Sequence, residues 1–279
     1  MISRSKTLSG SVPDLSPFVY EAVNIISEAG SLILEIRSFE VENKGTKENY
    51  VTTSDIYIQN FLEEKLPALI LGSSFVGEEN DLKENDSEYC WVVDPIDGTS
   101  NYARGIPLSV VSVALTKNDV PVVGIVFNPY TDQMFVAESG RGAYLNGERI
   151  HVSKRMFGNA IMSTAWSAYN KEWADLCFNI SNRVHSECDD IRRLGSAAYE
   201  LSLLASGSID IYFEIRLFPW DYLAACVLIT EAGGVCGSID GGLSAKHQST
   251  MIAANDQKNF DRLRGIILEE LGDFRIPIY

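Results

Sequence analysis

Histidine and cysteine are scarce in this sequence of 279 residues, which contains three histidines and five cysteines. The histidines lie far apart, so no His-x-x-x-His helix is available to bind a metal. The cysteines include no Cys-x-x-Cys pair and are odd in number, which argues against a zinc ribbon or a disulfide framework. We therefore expect reduced, mostly buried thiols, as in a cytoplasmic protein.

Positive charge is also scarce, because 23 Lys and Arg residues stand against 38 Asp and Glu residues, for a formal net charge of −15. Nucleic acids and anionic membrane surfaces are bound by clustered Lys and Arg, so neither is expected as a partner. No apolar run is long enough to span a bilayer, and the Ser-rich N-terminus lacks the apolar stretch of a signal peptide. The sequence predicts a cytoplasmic protein, and a small anionic substrate would need a local source of positive charge.

Hydrophobic residues make up 46% of the chain and charged residues 22%, so the chain can bury a sizeable core. Three parts are expected: a flexible tail over residues 1–15, an N-terminal α+β half over 16–155 that carries the metal site described below, and a C-terminal α/β half over 156–279. The N-terminal half opens with an amphipathic helix at Ser16-Pro17 and becomes β-rich from Leu108 onward. The C-terminal half alternates strands and helices and is expected to complete the active site.

Acidic residues stand at the ends of three predicted elements, two strands and one helix. These residues are Glu78, Asp94, Asp97 and Asp221. The strand before Asp94 is predicted to end at Val93. Each position alone has an ordinary structural explanation, such as a turn or a helix N-terminus. Taken together, they indicate a site.

The segment Asp94-Pro95-Ile96-Asp97-Gly98 predicts two convergent carboxylates. Pro95 biases the residue before it to extended backbone, and Gly98 permits a sharp turn. The two carboxylates and the Ile96 carbonyl can then face one point. Oxygen ligands of this kind suit Mg²⁺. Two or three such cations would relieve the repulsion among the carboxylates and supply the positive charge that a phosphate group needs.

Thr99 follows this segment and is predicted to begin a helix. The N–H groups at a helix N-terminus can bind phosphate oxygens. Metals on the opposite side would complete a site for a phosphoryl group, with water as the nucleophile. The Thr99 hydroxyl is suited to position that water, with Asp55 or Glu78 as the proton acceptor.

These motifs resemble those of the inositol monophosphatase family, whose members are lithium-sensitive, Mg²⁺-dependent phosphatases. The resemblance covers the chain from about residue 18 to 272. The matching segments are Lys44, Val51-Thr52-Thr53-Ser54-Asp55, Gly77-Glu78-Glu79, the run from Trp91 to Thr99 with Tyr102, Arg193-Leu194-Gly195-Ser196-Ala197-Ala198, Trp220-Asp221 and Glu231-Ala232-Gly233-Gly234. The resemblance implies the layered αβαβα sugar-phosphatase fold and a homodimer.

The resemblance also implies a role for each matching residue. The implied ligands of two to three Mg²⁺ ions are Glu78, Asp94, the Ile96 carbonyl, Asp97 and Asp221. The implied catalytic residues are Thr99 and Asp55, which together orient the attacking water, and Glu78. The implied substrate contacts are the backbone groups of Gly98 and Thr99 for the phosphate, and Asp97, the Ala197 backbone and Glu214 for the hydroxyl groups of the leaving alcohol.

The favoured substrate is a small polyol phosphate, above all myo-inositol 1-phosphate. Fructose-1,6-bisphosphate, histidinol phosphate and a nucleotide 3′-phosphate remain open, as does a regulatory relative without turnover. Glu214 favours a monophosphate, because a carboxylate accepts hydrogen bonds from ring hydroxyls and repels a second phosphate. Arg216 or the pair Arg192-Arg193 would reverse this preference by turning into the site. Arg216 is expected near the end of a strand, where the chain turns towards Pro219.

Overall fold

A computed structural model describes residues 13–36, 38–43, 50–79, 87–166, 170–274 and 276. Residues 1–12 of the predicted tail and Lys44 lie outside the described residues. None of the helices within the described ranges combines the length and the apolar character that crossing a membrane would require.

Two helices precede the main sheet. Helix α1 spans Pro17–Glu35 and begins where the sequence predicts, and α2 spans Thr53–Lys65. The sequence suggests Ser54 or Asp55 as the N-cap of α2, but the N-cap is Thr52. Thr52 and Asp55 form a capping box, in which each side chain bonds the other residue's backbone N–H, so the helix begins earlier. Strands β1 (Val41–Asn43) and β2 (Tyr50–Thr52) pair before α2.

The first large sheet has seven strands in chain order, and all neighbours are antiparallel except the first pair, which is parallel. The strands are β3 Ser74–Gly77, β4 Tyr89–Asp97, β5 Val110–Lys117, β6 Val120–Asn128, β7 Gln133–Glu138, β8 Gly142–Leu145 and β9 Glu148–Arg149. Strand β4 does not end at Val93 as predicted. It continues to Asp97, which pairs with Val110 after a shift of register. Helix α3 (Thr99–Ala103) follows directly.

The second sheet has five strands, in the order β11-β10-β12-β14-β13. These strands are β10 Ile161–Ala165, β11 Asp190–Arg192, β12 Ile211–Leu217, β13 Val235–Gly237 and β14 Ser249–Ala254. Strands β10, β11 and β12 are parallel to one another. The helices of this half are α4 Ala174–His185, α5 Ala197–Ala205, α6 Pro219–Glu231 and α7 Gln257–Leu271. Short 3₁₀ helices lie at Pro67–Leu69, Phe157–Asn159 and Lys171–Trp173.

The fold has five layers: α1 with α2, the seven-stranded sheet, α5 with α6, the five-stranded sheet, and α4 with α7. Three apolar cores hold these layers together. The first core lies between α1, α2 and the seven-stranded sheet, the second joins both sheets through α5 and α6, and the third lies between the five-stranded sheet and α4 with α7. Alternation along β4 shows this division, since Trp91 and Val93 belong to the first core and Val92 to the second. The layered αβαβα fold is therefore confirmed.

Helix α6 packs almost backbone to backbone on the seven-stranded sheet. A Cβ atom added to Gly124 in β6 would lie 2.0 Å from the carbonyl oxygen of Ala224 in α6. Only glycine allows this approach. The neighbouring Leu223 and Ala225 are fully or almost fully buried in the central core. The contact fixes the helix that carries Asp221 against the sheet that carries Asp94 and Asp97.

Candidate metal and phosphate site

Three aspartates converge where β4 ends and α6 begins. Asp94 and Asp97 are buried and Asp221 is half-buried, and one carboxylate oxygen from each lies within 4.8 Å of the others. The Ile96 N–H donates to Asp94 Oδ1 at 2.9 Å, and the Phe218 N–H donates to Asp221 Oδ2 at 2.8 Å. These backbone bonds orient two of the three carboxylates.

Glu78 approaches the same point from the neighbouring strand. It follows β3, and its N–H donates to the carbonyl oxygen of Val93 at 3.0 Å. Its side chain lines the same cavity, although it is not among the three residues whose oxygens lie within 4.8 Å. Its charge raises the pKa of Asp94 and of Asp221.

The charges of this cluster fit a divalent cation. Burial raises the pKa of Asp94 and of Asp221 well above the usual range, and their carboxylate neighbours add to both shifts. Burial raises the pKa of Asp97 to about 6, although hydrogen bonds from Ser196 and the start of α5 oppose the shift. Oxygen-only ligands and uncompensated negative charge are what a hard cation such as Mg²⁺ requires.

Asp97 also joins the two sheets. Its Oδ2 accepts hydrogen bonds from Ser196 Oγ at 2.6 Å and from the Ala198 N–H at 2.8 Å. Both donors lie at the N-terminus of α5, where N–H groups lack partners within the helix and favour an anion. The sequence did not indicate this partner, because Ser196 and Ala198 lie about a hundred residues along the chain.

The predicted helix at Thr99 is present but short. Gly98 precedes it with φ = 88°, and a Cβ there would lie 3.1 Å from the carbonyl oxygens of Gly195 and Leu108. Both the backbone conformation and the space therefore require glycine. The N–H groups of Asn101 and Tyr102 donate to the Gly98 carbonyl oxygen, and those of Gly98 and Thr99 precede the first hydrogen bonds of the helix.

The Thr99 hydroxyl contacts two of the predicted site residues. It lies 3.3 Å from Asp55 Oδ1 and 3.1 Å from the Ile96 carbonyl oxygen. Asp55 is fully buried, and its Oδ2 accepts from the Thr52 N–H at 2.8 Å and from Thr52 Oγ1 at 2.5 Å. The capping box of α2 thus fixes the carboxylate that faces Thr99.

A cavity of about 370 Å³ opens in front of these residues. Of the predicted site residues, Asp55 and Ile96 lie behind its wall, and the rest line it: Glu78, Asp94, Asp97, Gly98, Thr99, Ala197, Glu214 and Asp221. Three arginines line it as well: Arg104, Arg193 and Arg216. Strand β12 ends at Leu217, so Arg216 lies near its end as expected, but Arg216 lines the cavity with Glu214.

Glu214 is buried in the wall of this cavity. Tyr212 Oη donates to its Oε2 at 2.6 Å. Burial raises the pKa of Glu214 to about 8, although the Tyr212 hydroxyl and the charge of Arg193 oppose the shift. In the metal-free protein at pH 7 this carboxyl is therefore mostly neutral and can both donate to and accept from an alcohol.

Comparison with known proteins identifies this arrangement. The sequence profile described as "Inositol monophosphatase family" matches residues 14–270. The chain belongs to the inositol monophosphatase family. Members of this family are phosphomonoesterases that act on phosphorylated polyols. The three convergent aspartates are consistent with the family's metal site.

Relatives within the family carry different names. The inositol monophosphatase of Dictyostelium discoideum is 32% identical over 265 residues, which cover 92% of this chain and 97% of that protein. The Nus factor SuhB of Escherichia coli K12 is 32% identical over 247 residues, which cover 86% of this chain and 92% of that protein. A solved structure of the Thermotoga maritima IMPase superposes with a TM-score of 0.81 at 26% identity, covering 91% of this chain and 97% of that one.

Glu200 was not predicted as part of this family site. It is buried in α5, lines the cavity, and accepts hydrogen bonds from the N–H groups of Leu194 and of Gly195, the latter at 2.8 Å. It thereby holds the loop that presents Ser196 to Asp97. Burial raises the pKa of Glu200 to about 7. An acidic residue inside an otherwise apolar helix was the available sequence signal, because such a charge is seldom buried without partners.

The raised pKa values predict how pH affects the metal-free protein. Folding keeps Asp97, Glu200 and Glu214 protonated up to about pH 6, 7 and 8, whereas unfolded carboxyls ionise near 4. The folded state binds more protons in this window, so the free energy of unfolding should fall as pH rises from about 5 to about 8. Thermal unfolding in EDTA measures this, and Glu214→Gln should flatten the slope by about one proton. A melting temperature that rises across the window would contradict it.

Proposed function

We propose that the chain is a Mg²⁺-dependent phosphomonoesterase that hydrolyses a small polyol phosphate, with myo-inositol 1-phosphate as the favoured substrate. One observation carries this proposal: the aspartates at the end of β4 and the start of α6 line one cavity with Thr99, whose hydroxyl contacts the buried Asp55. The aspartates are a ligand set for hard cations, and the Thr99–Asp55 pair beside them can accept a proton.

Four carboxylates and one carbonyl are the proposed metal ligands. They are Glu78, Asp94, Asp97, Asp221 and the Ile96 carbonyl, for two to three Mg²⁺ ions. Bound there, Mg²⁺ neutralises phosphoryl oxygens, lowers the pKa of water and stabilises charge on the departing alcohol oxygen.

The Thr99–Asp55 pair orients the attacking water. The water donates one hydrogen bond to Thr99 Oγ1, and the Thr99 hydroxyl donates its own hydrogen to Asp55 Oδ1. Asp55 can then receive the proton through Thr99 as the water attacks phosphorus. Since Thr52 holds the other carboxylate oxygen, Asp55 cannot turn away from Thr99 without breaking the cap of α2.

The remaining contacts belong to the substrate. Backbone N–H groups at Gly98 and Thr99 bind phosphate oxygens at the first turn of α3. Asp97, the Ala197 backbone and Glu214 face the hydroxyl groups of the alcohol. A neutral polyol suits these contacts, because carboxyl oxygens accept hydrogen bonds from vicinal hydroxyls.

A substrate panel tests the proposal. Phosphate release is measured with myo-inositol 1-phosphate, histidinol phosphate, fructose-1,6-bisphosphate and a nucleotide 3′-phosphate, each with Mg²⁺ and with EDTA. We expect Mg²⁺-dependent turnover, greatest for the inositol ester among the monophosphates. Turnover that persists unchanged in EDTA would contradict the metal assignment, and greater turnover of another monophosphate would contradict the favoured substrate.

A regulatory relative without turnover is the second candidate, because a relative of similar identity is named Nus factor SuhB. All the proposed metal and water-orienting residues are present here, which favours an enzyme. Absence of turnover across the panel, in a protein that binds Mg²⁺, would favour the regulatory candidate.

Four further properties remain predictions carried by the family resemblance and the composition. They are inhibition by lithium, a homodimer, a cytoplasmic location, and the division near residue 155. Inhibition by LiCl in the same phosphate-release assay and the mass in solution by light scattering test the first two.

A further inference from the structure

Arg193 and Arg216 reach the cavity from one edge of the five-stranded sheet. Arg193 follows β11 directly, and Arg216 is the last residue but one of β12. Because β10, β11 and β12 are parallel, their carboxyl ends meet at the same edge. Ligands of open α/β sheets bind beyond that edge.

Arg216 lines the cavity near the end of β12, two residues after Glu214. The pairing of β12 with β14 shifts register between Glu214 and Leu217, and such irregularities re-aim side chains next to active sites. Both side chains line the cavity.

Two tryptophans support the guanidinium groups. Arg193 lies over the ring of Trp166 and Arg216 over that of Trp173, each 5.4 Å from the ring centroid. Trp166 is itself fixed, because its Nε1–H donates to Ser181 Oγ at 3.0 Å. A cation–π contact rests on the face of the ring and leaves the N–H donors of arginine for an acceptor in the cavity.

Neither guanidinium forms an ion pair within 4.0 Å with a carboxylate of the described residues, although the charge of Arg193 lowers the pKa of Glu214 and that of Arg216 lowers the pKa of Glu172. The ion pairs found in the described part of the chain include Arg192 with Asp190, but none formed by Arg193 or Arg216. In a chain of net charge −15, these two arginines supply local positive charge at the cavity. The N–H donors of each guanidinium, five in number, match the geometry of a phosphate group.

We infer that Arg193 and Arg216 form a subsite for a second phosphate group of the substrate, at the end of the cavity away from the scissile ester. The inference rests on the proposed phosphomonoesterase function and revises its favoured substrate: a polyol that carries two phosphates is preferred over myo-inositol 1-phosphate and other monophosphates. Glu214 lies on the same strand and contacts the hydroxyls between the two phosphates. The arginines supply the second source of positive charge that this acidic protein needs.

Two matched substrate pairs test the subsite. They are myo-inositol 1,4-bisphosphate with myo-inositol 1-phosphate, and fructose-1,6-bisphosphate with fructose 1-phosphate. In at least one pair we expect the bisphosphate to be preferred about tenfold or more in kcat/KM, mainly through a lower KM. Arg193→Met and Arg216→Met keep much of the apolar stem and should each reduce that ratio several-fold. Arg192→Met is the matched control and should leave the ratio unchanged.

The outcomes are separable from those of the proposed function. Equal efficiency within both pairs, or a preference that survives both variants, would overturn the subsite while leaving the phosphomonoesterase intact. If no ester is hydrolysed, the proposed function fails, and titration calorimetry with the same pairs decides the subsite. Tighter binding of a bisphosphate that is lost in Arg216→Met then supports it, and equal affinities reject it.

Discussion

Asp97→Asn and Asp221→Asn should each remove nearly all phosphatase activity and leave the protein folded. Each change deletes a ligand charge that faces the proposed cations, so metal binding and the stabilisation of the leaving oxygen are both weakened. A loss of about 4 kcal/mol of transition-state stabilisation corresponds to about a thousandfold in rate. The measurement is kcat at saturating Mg²⁺, together with the thermal unfolding of each variant.

Asp256→Asn provides the matched control. Asp256 caps α7 and accepts from the Asn259 N–H at 2.8 Å, much as Asp221 accepts from the Phe218 N–H, but it does not line the cavity. Asparagine is about as good a cap as aspartate, so this variant should keep both stability and activity. Near-normal kcat for either site variant would reject the metal assignment.

Thr99→Ala should lower kcat by about 10²–10⁴-fold, with little change in KM, because this is the range typical of an acid–base contribution. The change removes the hydroxyl that links the attacking water to Asp55. The backbone N–H groups assigned to the phosphate remain, so ground-state binding should persist. Steady-state kinetics with myo-inositol 1-phosphate separates the two parameters.

Thr99→Ser restores the hydroxyl and should recover most of the activity. Thr99 is a cleaner probe than Asp55, because Asp55 also takes part in the capping box of α2. A large rise in KM at constant kcat in Thr99→Ala would show instead that the hydroxyl binds the ground-state substrate.

Local sequence signals were sufficient for much of the fold. The proline at the start of α1 and the runs of β-branched residues from Val110 onward predict elements that the structure contains. These signals succeed because capping and side-chain period depend on residues close in sequence. The convergence of Asp221 with Asp94 and Asp97 was implied by the family resemblance, since these residues are distant along the chain.

Long-range contacts account for what the sequence did not show. Strand β4 extends to Asp97 because β5 offers a partner there, and neither strand alone carries that information. Asp97 meets Ser196 only once the two sheets have packed together. Arg216 enters the cavity because β12 continues past Glu214 beside β14. In each case the deciding partner is distant along the chain.

The contact between Gly124 and Ala224 has a consequence for how the sequence can diverge. Main chain rests directly on main chain, so no side chain acts as a spacer between α6 and the seven-stranded sheet at this point. Core residues elsewhere can exchange volume without moving the start of α6 relative to the end of β4. Substitutions in the surrounding core therefore leave the relative positions of the aspartates unchanged. This tolerance of substitution depends on Gly124 in β6.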